Sequence, residues 1–274
     1  MKSRFLFVII FISFFVWTKA LWASGKSSKK YQVTCTSVIF SDITNSQRLY
    51  GRNVDKKVLP ASTAKVMTAL IVLEELSLDQ YITVHSSATR VQPSKIYLRP
   101  GERYKVRDLL YAVLIESAND ASVALARAVA GSEEKFVRLM NERARQLGAR
   151  HTSFTNSNGL PSPKVRQYTT AYDMYLIFRQ ALKQDFFKEA ITYKYKNIYS
   201  KTGRKISLKN HNKILFLDWN KKIYGKTGYT KAAKSCFIGT VENGHGTFVI
   251  GVFGCRERWD DIKYVVSKYG GIDL

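Results

Sequence analysis

The spacing of apolar residues changes period twice along this chain, and that pattern constrains its fold more than any single motif. Gln32 to Thr44, rich in Val, Thr, Ile and Phe, reads as a strand that turns at Asn45-Ser46, with Arg48 to Asn53 returning as a second. The period then becomes helical. Pro60 opens a helix from about Ala61 to Leu76, with Val66, Met67, Leu70 and Leu73 as its apolar stripe. Val106 to Ile115, Asp120 to Ala130 and Glu133 to Leu147 keep helical spacing, the last with Ser132 as N-cap and Gly148 as stop. Thr170-Ala-Tyr-Asp173 has the form of a capping box and opens a helix through about Leu182. Strand signals return at Ser235 to Val241 and Thr247 to Cys255, on either side of a turn at Glu242 to Gly246. Amphipathic Trp259 to Tyr269 follows as a helix. Strands, then helices, then a hairpin and a helix predict an α+β fold: an antiparallel sheet flanked by helices, with a mainly helical insertion.

The first two dozen residues stand outside this pattern. Lys2 and Arg4 precede an apolar run, Phe5 to Trp17, followed by Lys19 and the small residues Ala20, Ala23 and Ser24, the layout of a secretory leader. The run is shorter than the ~20 residues of a bilayer-spanning helix. We expect residues 1–23 to be a signal peptide, with an uncleaved anchor as the alternative. Residues 24–32 would form a basic linker and 33–274 the folded domain. The protein is expected in the periplasm or on the outer face of the cytoplasmic membrane.

The formal net charge is +23, and loss of residues 1–23 leaves +20. Such a balance attracts anionic surfaces, here an anionic wall polymer or a membrane surface. No nucleic-acid-binding motif accompanies the charge, so nucleic acid is not an expected partner. Cys236 and Cys255 fall on neighbouring strands, but the inferred register makes them diagonal. Together with Cys35 they are expected as buried thiols. The four histidines are scattered without metal-ligand spacing, so neither a metal nor a cofactor is implied.

Three short signatures carry the chemistry. In Ser62-Thr63-Ala64-Lys65 the two polar ends lie one helical turn apart, so the Lys65 amine can reach the Ser62 hydroxyl. An amine acts as a base only when neutral, a state favoured by burial and by a neighbouring cation. Two other Ser-x-x-Lys strings, Ser27/Lys30 and Ser132/Lys135, are better read as linker and as helix cap. Ser117-Ala118-Asn119 places a hydroxyl and an amide in a tight loop, where Ser117 can relay a proton and Asn119 hold a substrate amide. In Lys226-Thr227-Gly228, before the final hairpin, Lys226 offers a fixed positive charge and Thr227 a hydroxyl for a carboxylate, while Gly228 permits close approach. The rival Lys201-Thr202-Gly203 leads into a basic, strand-poor run, Arg204-Lys205-Ile206.

The order Ser-x-x-Lys, Ser-x-Asn, Lys-Thr-Gly is that of penicillin-binding proteins and serine β-lactamases. The chain resembles the D-alanyl-D-alanine carboxypeptidase family, the low-molecular-weight penicillin-binding proteins, over about residues 33–269. Further matches are Glu116-Ser-Ala-Asn-Asp-Ala-Ser, Met140-Asn-Glu-Arg-Ala-Arg-Gln-Leu-Gly, Asn156-Ser-Asn-Gly-Leu, Asn210-His-Asn-Lys-Ile-Leu and Gly225-Lys-Thr-Gly-Tyr-Thr. The resemblance implies a serine β-lactamase/transpeptidase-like fold with a D,D-peptidase catalytic domain. Its substrates would be peptidoglycan stem peptides, and β-lactams would be covalent inhibitors. It implies that Ser62 attacks the bond between two terminal D-alanines, with Lys65 as base and Ser117 and Lys226 moving protons. Asn119 would orient the peptide, Thr227 would bind the terminal carboxylate, and the backbone N–H groups of Ser62 and Tyr229 would form the oxyanion hole. Relatives often carry Arg or Thr where His211 stands, so His211 is a candidate for the carboxylate only when protonated or suitably placed. Relatives also often add a small β-domain and an amphipathic membrane helix, for which no counterpart is expected before Leu274. The alternatives are a D,D-endopeptidase cutting peptide cross-links and a non-catalytic wall-binding protein. A class A β-lactamase is disfavoured by the lack of a Glu-x-x-Leu-Asn string.

Overall fold

Strands from both ends of the chain meet in one antiparallel sheet. A computed structural model describes residues 31–162, 165–244 and 246–274. The expected leader, most of the linker, Ser27/Lys30 and His245 lie outside the described residues. At the N-terminal side, β1 (Ser37–Asp42) pairs with β2 (Gln47–Arg52). A 3-10 turn at Ala61–Ala64 runs straight into α1 (Lys65–Glu75). Then come β3 (Tyr81–Thr83), α2 (Ser86–Thr89), β4 (Arg103–Lys105) and α3 (Val106–Tyr111), which continues as a π turn over Ala112–Glu116. The helices α4 (Asn119–Ala130), α5 (Glu133–Gln146), α6 (Ala171–Ala181) and α7 (Asp185–Ala190) complete the insertion. A separate hairpin, β5 (Tyr195–Tyr199) and β6 (Lys205–Lys209), precedes β7 (Tyr224–Thr230), β8 (Lys234–Asn243), β9 (Gly246–Cys255) and α8 (Arg258–Gly270).

The main sheet runs β2-β1-β9-β8-β7, every pair antiparallel, with β7 at an edge. Alternation along each strand divides the core into two layers. On β1, Ile39 joins the layer shared with the helical insertion, whereas Val38 and Phe40 face Ile262, Val265 and Val266 of α8. α1 is buried all round from Lys65 to Val72. A helix wrapped on every side belongs at the centre of a fold, where it is held in place by all its neighbours. Each fully buried Leu or Met there contributes roughly 1.5–3 kcal/mol of transfer free energy. The expected caps are present: Ser132 Oγ accepts from the Lys135 N–H, and Thr170 Oγ1 accepts from the Asp173 N–H.

Two expectations need correction. The cysteines are not all thiols: Cys35 and Cys255 are disulfide-bonded, and Cys236 is free and buried. The pairing of β1 with β9, Ser37 with Phe253, carried two residues further, sets Cys35 opposite Cys255. Spacing within the last hairpin could not show this, because the partner cysteine lies 220 residues earlier. Closing so long a loop stabilises the fold by up to about 5 kcal/mol on a chain-entropy argument. The run Arg204-Lys205-Ile206 is also not strand-poor, since it leads into β6. There Ile206 and Leu208 alternate with Lys205, Ser207 and Lys209, a period of two that the lysines disguise. Among the described residues no helix is long and apolar enough to cross a membrane.

Candidate active site

The sheet edge, the start of α1 and the α3–α4 junction converge around Ser62. The backbone is forced to approach closely there. Ala61 has a positive φ of 47°, uncommon for a residue with a side chain. Two glycines make room for this kink. A Cβ on Gly159, at φ +84°, would lie 1.9 Å from the Ala61 carbonyl oxygen, and one on Gly228 would lie 3.0 Å from the Ser62 nitrogen. Strand β7 therefore runs directly beside the Ser62 N–H. Next to it Leu59, Ala61, Gly159, Arg166 and Thr230 border a cavity of about 170 Å³.

Lys65 is fully buried, and its Nζ has three neighbours: Ser62 Oγ at 3.1 Å, Asn119 Oδ1 at 2.7 Å and the Asn158 carbonyl oxygen at 2.7 Å. Two of these can only accept hydrogen bonds. A neutral amine has two N–H donors and one lone pair, so it fits this surround with the lone pair turned to the Ser62 hydroxyl. Burial, then the positive charge of Lys226, hold the Lys65 amine well below the usual lysine range, against an opposing pull from Asp120. The Asn158 carbonyl is itself fixed. Thr68 of α1 and Ser122 of α4 donate to the Ser157 carbonyl at 2.5 and 2.7 Å, and Glu133 of α5 accepts from the Ser157 N–H and hydroxyl. The loop is thereby tied to three helices at once.

Ser117 follows the π turn with φ 61° and is buried. π turns are frequent at functional sites, and here the left-handed Ser117 ends the helix and turns the chain towards α4. Asn119 opens α4, giving its oxygen to Lys65 and one N–H to the Gln92 carbonyl at 2.8 Å. One amide N–H remains to meet a ligand.

On β7, Lys226 is also buried, its Nζ donating to the Thr227 carbonyl at 3.0 Å. Burial, then the Arg258 guanidinium, bring its ammonium down to about 7. Its charge is therefore variable near neutrality, not the fixed charge expected from its residue type. Arg258, at the start of α8, donates to the carbonyls of Gly228 at 3.2 Å and Cys236 at 2.7 Å. Thr227 is buried and Tyr229 is 68% exposed. His211 lies at the margin, with its ring Nε2 3.5 Å from Glu116 Oε1 and its backbone N–H donating to the Ile115 carbonyl. Although burial opposes ionisation, Glu116 is held below its usual range by His211 and by the Lys209 N–H.

Lys65 is thus in direct contact with both Ser62 and Asn119, Gly228 abuts Ser62, and Ser117 and Lys226 sit on the adjoining elements. The rival strings fall elsewhere: Ser132 caps α5 and Lys201-Thr202-Gly203 forms the β5–β6 turn. Sequence reasoning missed the Asn158 carbonyl, Glu116 and Arg258. The stretch Asn156-Ser-Asn-Gly marked the first without revealing its part, since a carbonyl has no side-chain signature.

A family model described as D-alanyl-D-alanine carboxypeptidase matches residues 24–256. The D-alanyl-D-alanine carboxypeptidase DacF of Bacillus subtilis (strain 168) is 33% identical over 84% of this chain, and the match spans 60% of that protein. DacB2 of Mycobacterium tuberculosis, of the same description, is 34% identical over 77% of this chain and 72% of its own length. A crystal structure of a D-alanyl-D-alanine carboxypeptidase from Mycobacterium tuberculosis H37Rv superposes with a TM-score of 0.80 at 29% identity, covering 89% of this chain and 94% of the other. With that match across most of its length, the chain belongs to the D-alanyl-D-alanine carboxypeptidase family.

Proposed function

We propose that this protein is a serine D-Ala-D-Ala carboxypeptidase that removes the terminal D-alanine from peptidoglycan stem pentapeptides. The observation that carries the proposal is the environment of Lys65 Nζ: two acceptors and one hydroxyl around a buried amine next to a second lysine. In the first step neutral Lys65 takes the Ser62 proton as Oγ bonds to the penultimate D-alanine carbonyl carbon. The oxyanion is met by the N–H groups of Ser62 and Tyr229 at the positively polarised start of α1. The C–N bond then breaks, the leaving D-alanine takes a proton passed from Lys65 through Ser117, and an ester to Ser62 remains. Water, deprotonated at the same lysine, hydrolyses that ester and restores the Ser62 hydroxyl. Asn119 holds the substrate amide with its spare N–H. Thr227, with Lys226 while charged, meets the terminal carboxylate, and Arg258 adds positive charge at that end of β7. His211, whose Nε2 lies 3.5 Å from Glu116 Oε1, is a further candidate for that carboxylate when protonated.

The reaction is assigned to the outside of the cytoplasmic membrane. The Cys35–Cys255 bridge supports this, since disulfides persist in oxidising compartments, and residues 1–23 would serve as the leader. β-Lactams would acylate Ser62 in the substrate's place. The test is labelling of the purified protein with a fluorescent penicillin, paired with D-alanine release from a defined pentapeptide. Ser62→Ala should abolish both. Labelling that survives in Ser62→Ala would overturn the assignment.

A further inference from the structure

Between Glu189 and Asp218 the chain has no acidic residue and seven Lys or Arg. Most of this stretch is the β5–β6 hairpin. Its inner face buries Ile198 and Leu208, and its outer face is made by three cross-strand pairs: Tyr195 with Lys209, Asn197 with Ser207, and Tyr199 with Lys205. Tyr195 is 60% exposed and Tyr199 is 50% exposed. Four residues apart on one strand, their rings stand roughly 13 Å from each other along one line. Between them the Ser207 hydroxyl donates to Asn197 Oδ1 at 2.8 Å. Phe216 extends the line, edge-on to Tyr195 with ring centres 5.6 Å apart, and Lys209 Nζ lies 5.7 Å from the Phe216 ring centre.

The ribbon is held at both ends. At its base the Lys209 N–H donates to Glu116 Oε2 at 2.7 Å, one residue before Ser117. At its tip the Lys201 N–H donates to the Arg103 carbonyl at 2.7 Å, and Arg204 pairs with Glu102 at 2.6 Å. The hairpin therefore leads outward from the edge of the candidate active site as a fixed surface. Exposed aromatic faces alternate on it with cations, and its six outward positions carry no aliphatic side chain. That composition suits a linear ligand offering both flat ring faces and negative charge, because rings stack on aromatics and anions meet lysines. It suits a lipid surface less well, since insertion among acyl chains uses long apolar side chains.

We propose that the outer face of the β5–β6 hairpin docks a carboxylate-bearing glycan strand, the polymer to which the peptide substrate is attached. The identity of that polymer rests on the carboxypeptidase reading. The docking is tested independently of it, by co-sedimentation of the full chain with purified insoluble peptidoglycan at two salt concentrations. The wild-type protein is expected to sediment, less at high salt. The double variant Tyr195→Ser, Tyr199→Ser should bind at least about tenfold more weakly while its penicillin labelling and its kcat/KM on free pentapeptide stay within about twofold. Its KM on polymer-attached peptide should rise without a fall in kcat. Equal binding by the double variant and wild type would overturn the proposal. So would a wild-type preference for phosphatidylglycerol vesicles over the polymer. Wild-type binding that needs both tyrosines, in a protein that neither takes penicillin nor releases D-alanine, would support the docking face and remove the carboxypeptidase reading.

Discussion

Lys65 and Lys226 are 0% and 1% exposed, whereas Lys205 and Lys209 on the β5–β6 hairpin face solvent. The two groups share one side-chain chemistry and are put to different uses. In the cleft, burial takes both amines towards neutrality, helped at Lys65 by the charge of Lys226 and at Lys226 by that of Arg258, so one becomes available as a base and the other titrates near pH 7. On the hairpin the lysine side chains face solvent and act by long-range attraction, which salt screens. A lysine's function in this protein is therefore set by the elements packed over it. The buried pair depends on four segments meeting at Ser62; the exposed row depends only on the alternation of one hairpin.

The largest effect that can break this comparison is expected at Lys65. Arg in its place cannot give up a proton in practice, so Lys65→Arg should lower the acylation rate by about 10²–10⁴-fold. Lys205→Arg should leave it unchanged. Stopped-flow labelling with a fluorescent penicillin measures both, and a Lys65→Arg variant that retains most of its rate would show that another group takes the proton. Next comes the backbone that makes the burial. Gly159→Ala puts a methyl group into the Ala61 carbonyl at a positive φ, so it should cost about 1–3 kcal/mol of stability and acylation with it. A thermal melt and a labelling rate matching wild type would show that the site does not need this approach.

The smallest effect sharpens the part played by Lys226. Charge-assisted hydrogen bonds to a terminal carboxylate are worth roughly 1.5–3 kcal/mol, enough for a tenfold to hundredfold preference for a free-acid pentapeptide over its C-terminal amide. Lys226 is charged below about 7 and neutral above it. The preference should therefore shrink as pH rises through that value, read as kcat/KM for the two substrates. Equal rates on acid and amide at pH 6, or faster cutting of cross-linked dimers, would move the assignment to an endopeptidase.

The three motifs were legible in the sequence because each packs its chemistry into three or four consecutive residues, and the strand and helix runs were legible because period survives in a linear string. The caps at Ser132 and Thr170 were local for the same reason. What escaped was non-local. The Cys35–Cys255 bridge depends on the pairing of β1 with β9, across nearly the whole chain. The Asn158 carbonyl reaches Lys65 only because Thr68, Ser122 and Glu133, from three helices, fasten the neighbouring residue. Arg258 follows β9 in sequence yet touches β7 and β8, and its effect on Lys226 turned an expected fixed charge into a titrating one. Burial decides such matters, and a motif does not encode it.

The chemistry of the cleft turns on Lys65 acting as a neutral base because it is buried beside Lys226. That role is tested most directly by the pH dependence of the acylation rate constant in the wild-type protein and in Lys226→Met. A base must be unprotonated, so the rate should fall as pH drops through the depressed Lys65 pKa and level off above it, with the fall centred well below 10.5. Below about pH 7, where Lys226 is charged, removing that charge should let Lys65 deprotonate only at higher pH, so Lys226→Met should acylate more slowly there than wild type. A wild-type rate still climbing towards pH 10.5, or a rate below about pH 7 that Lys226→Met does not lower, would contradict that role for Lys65.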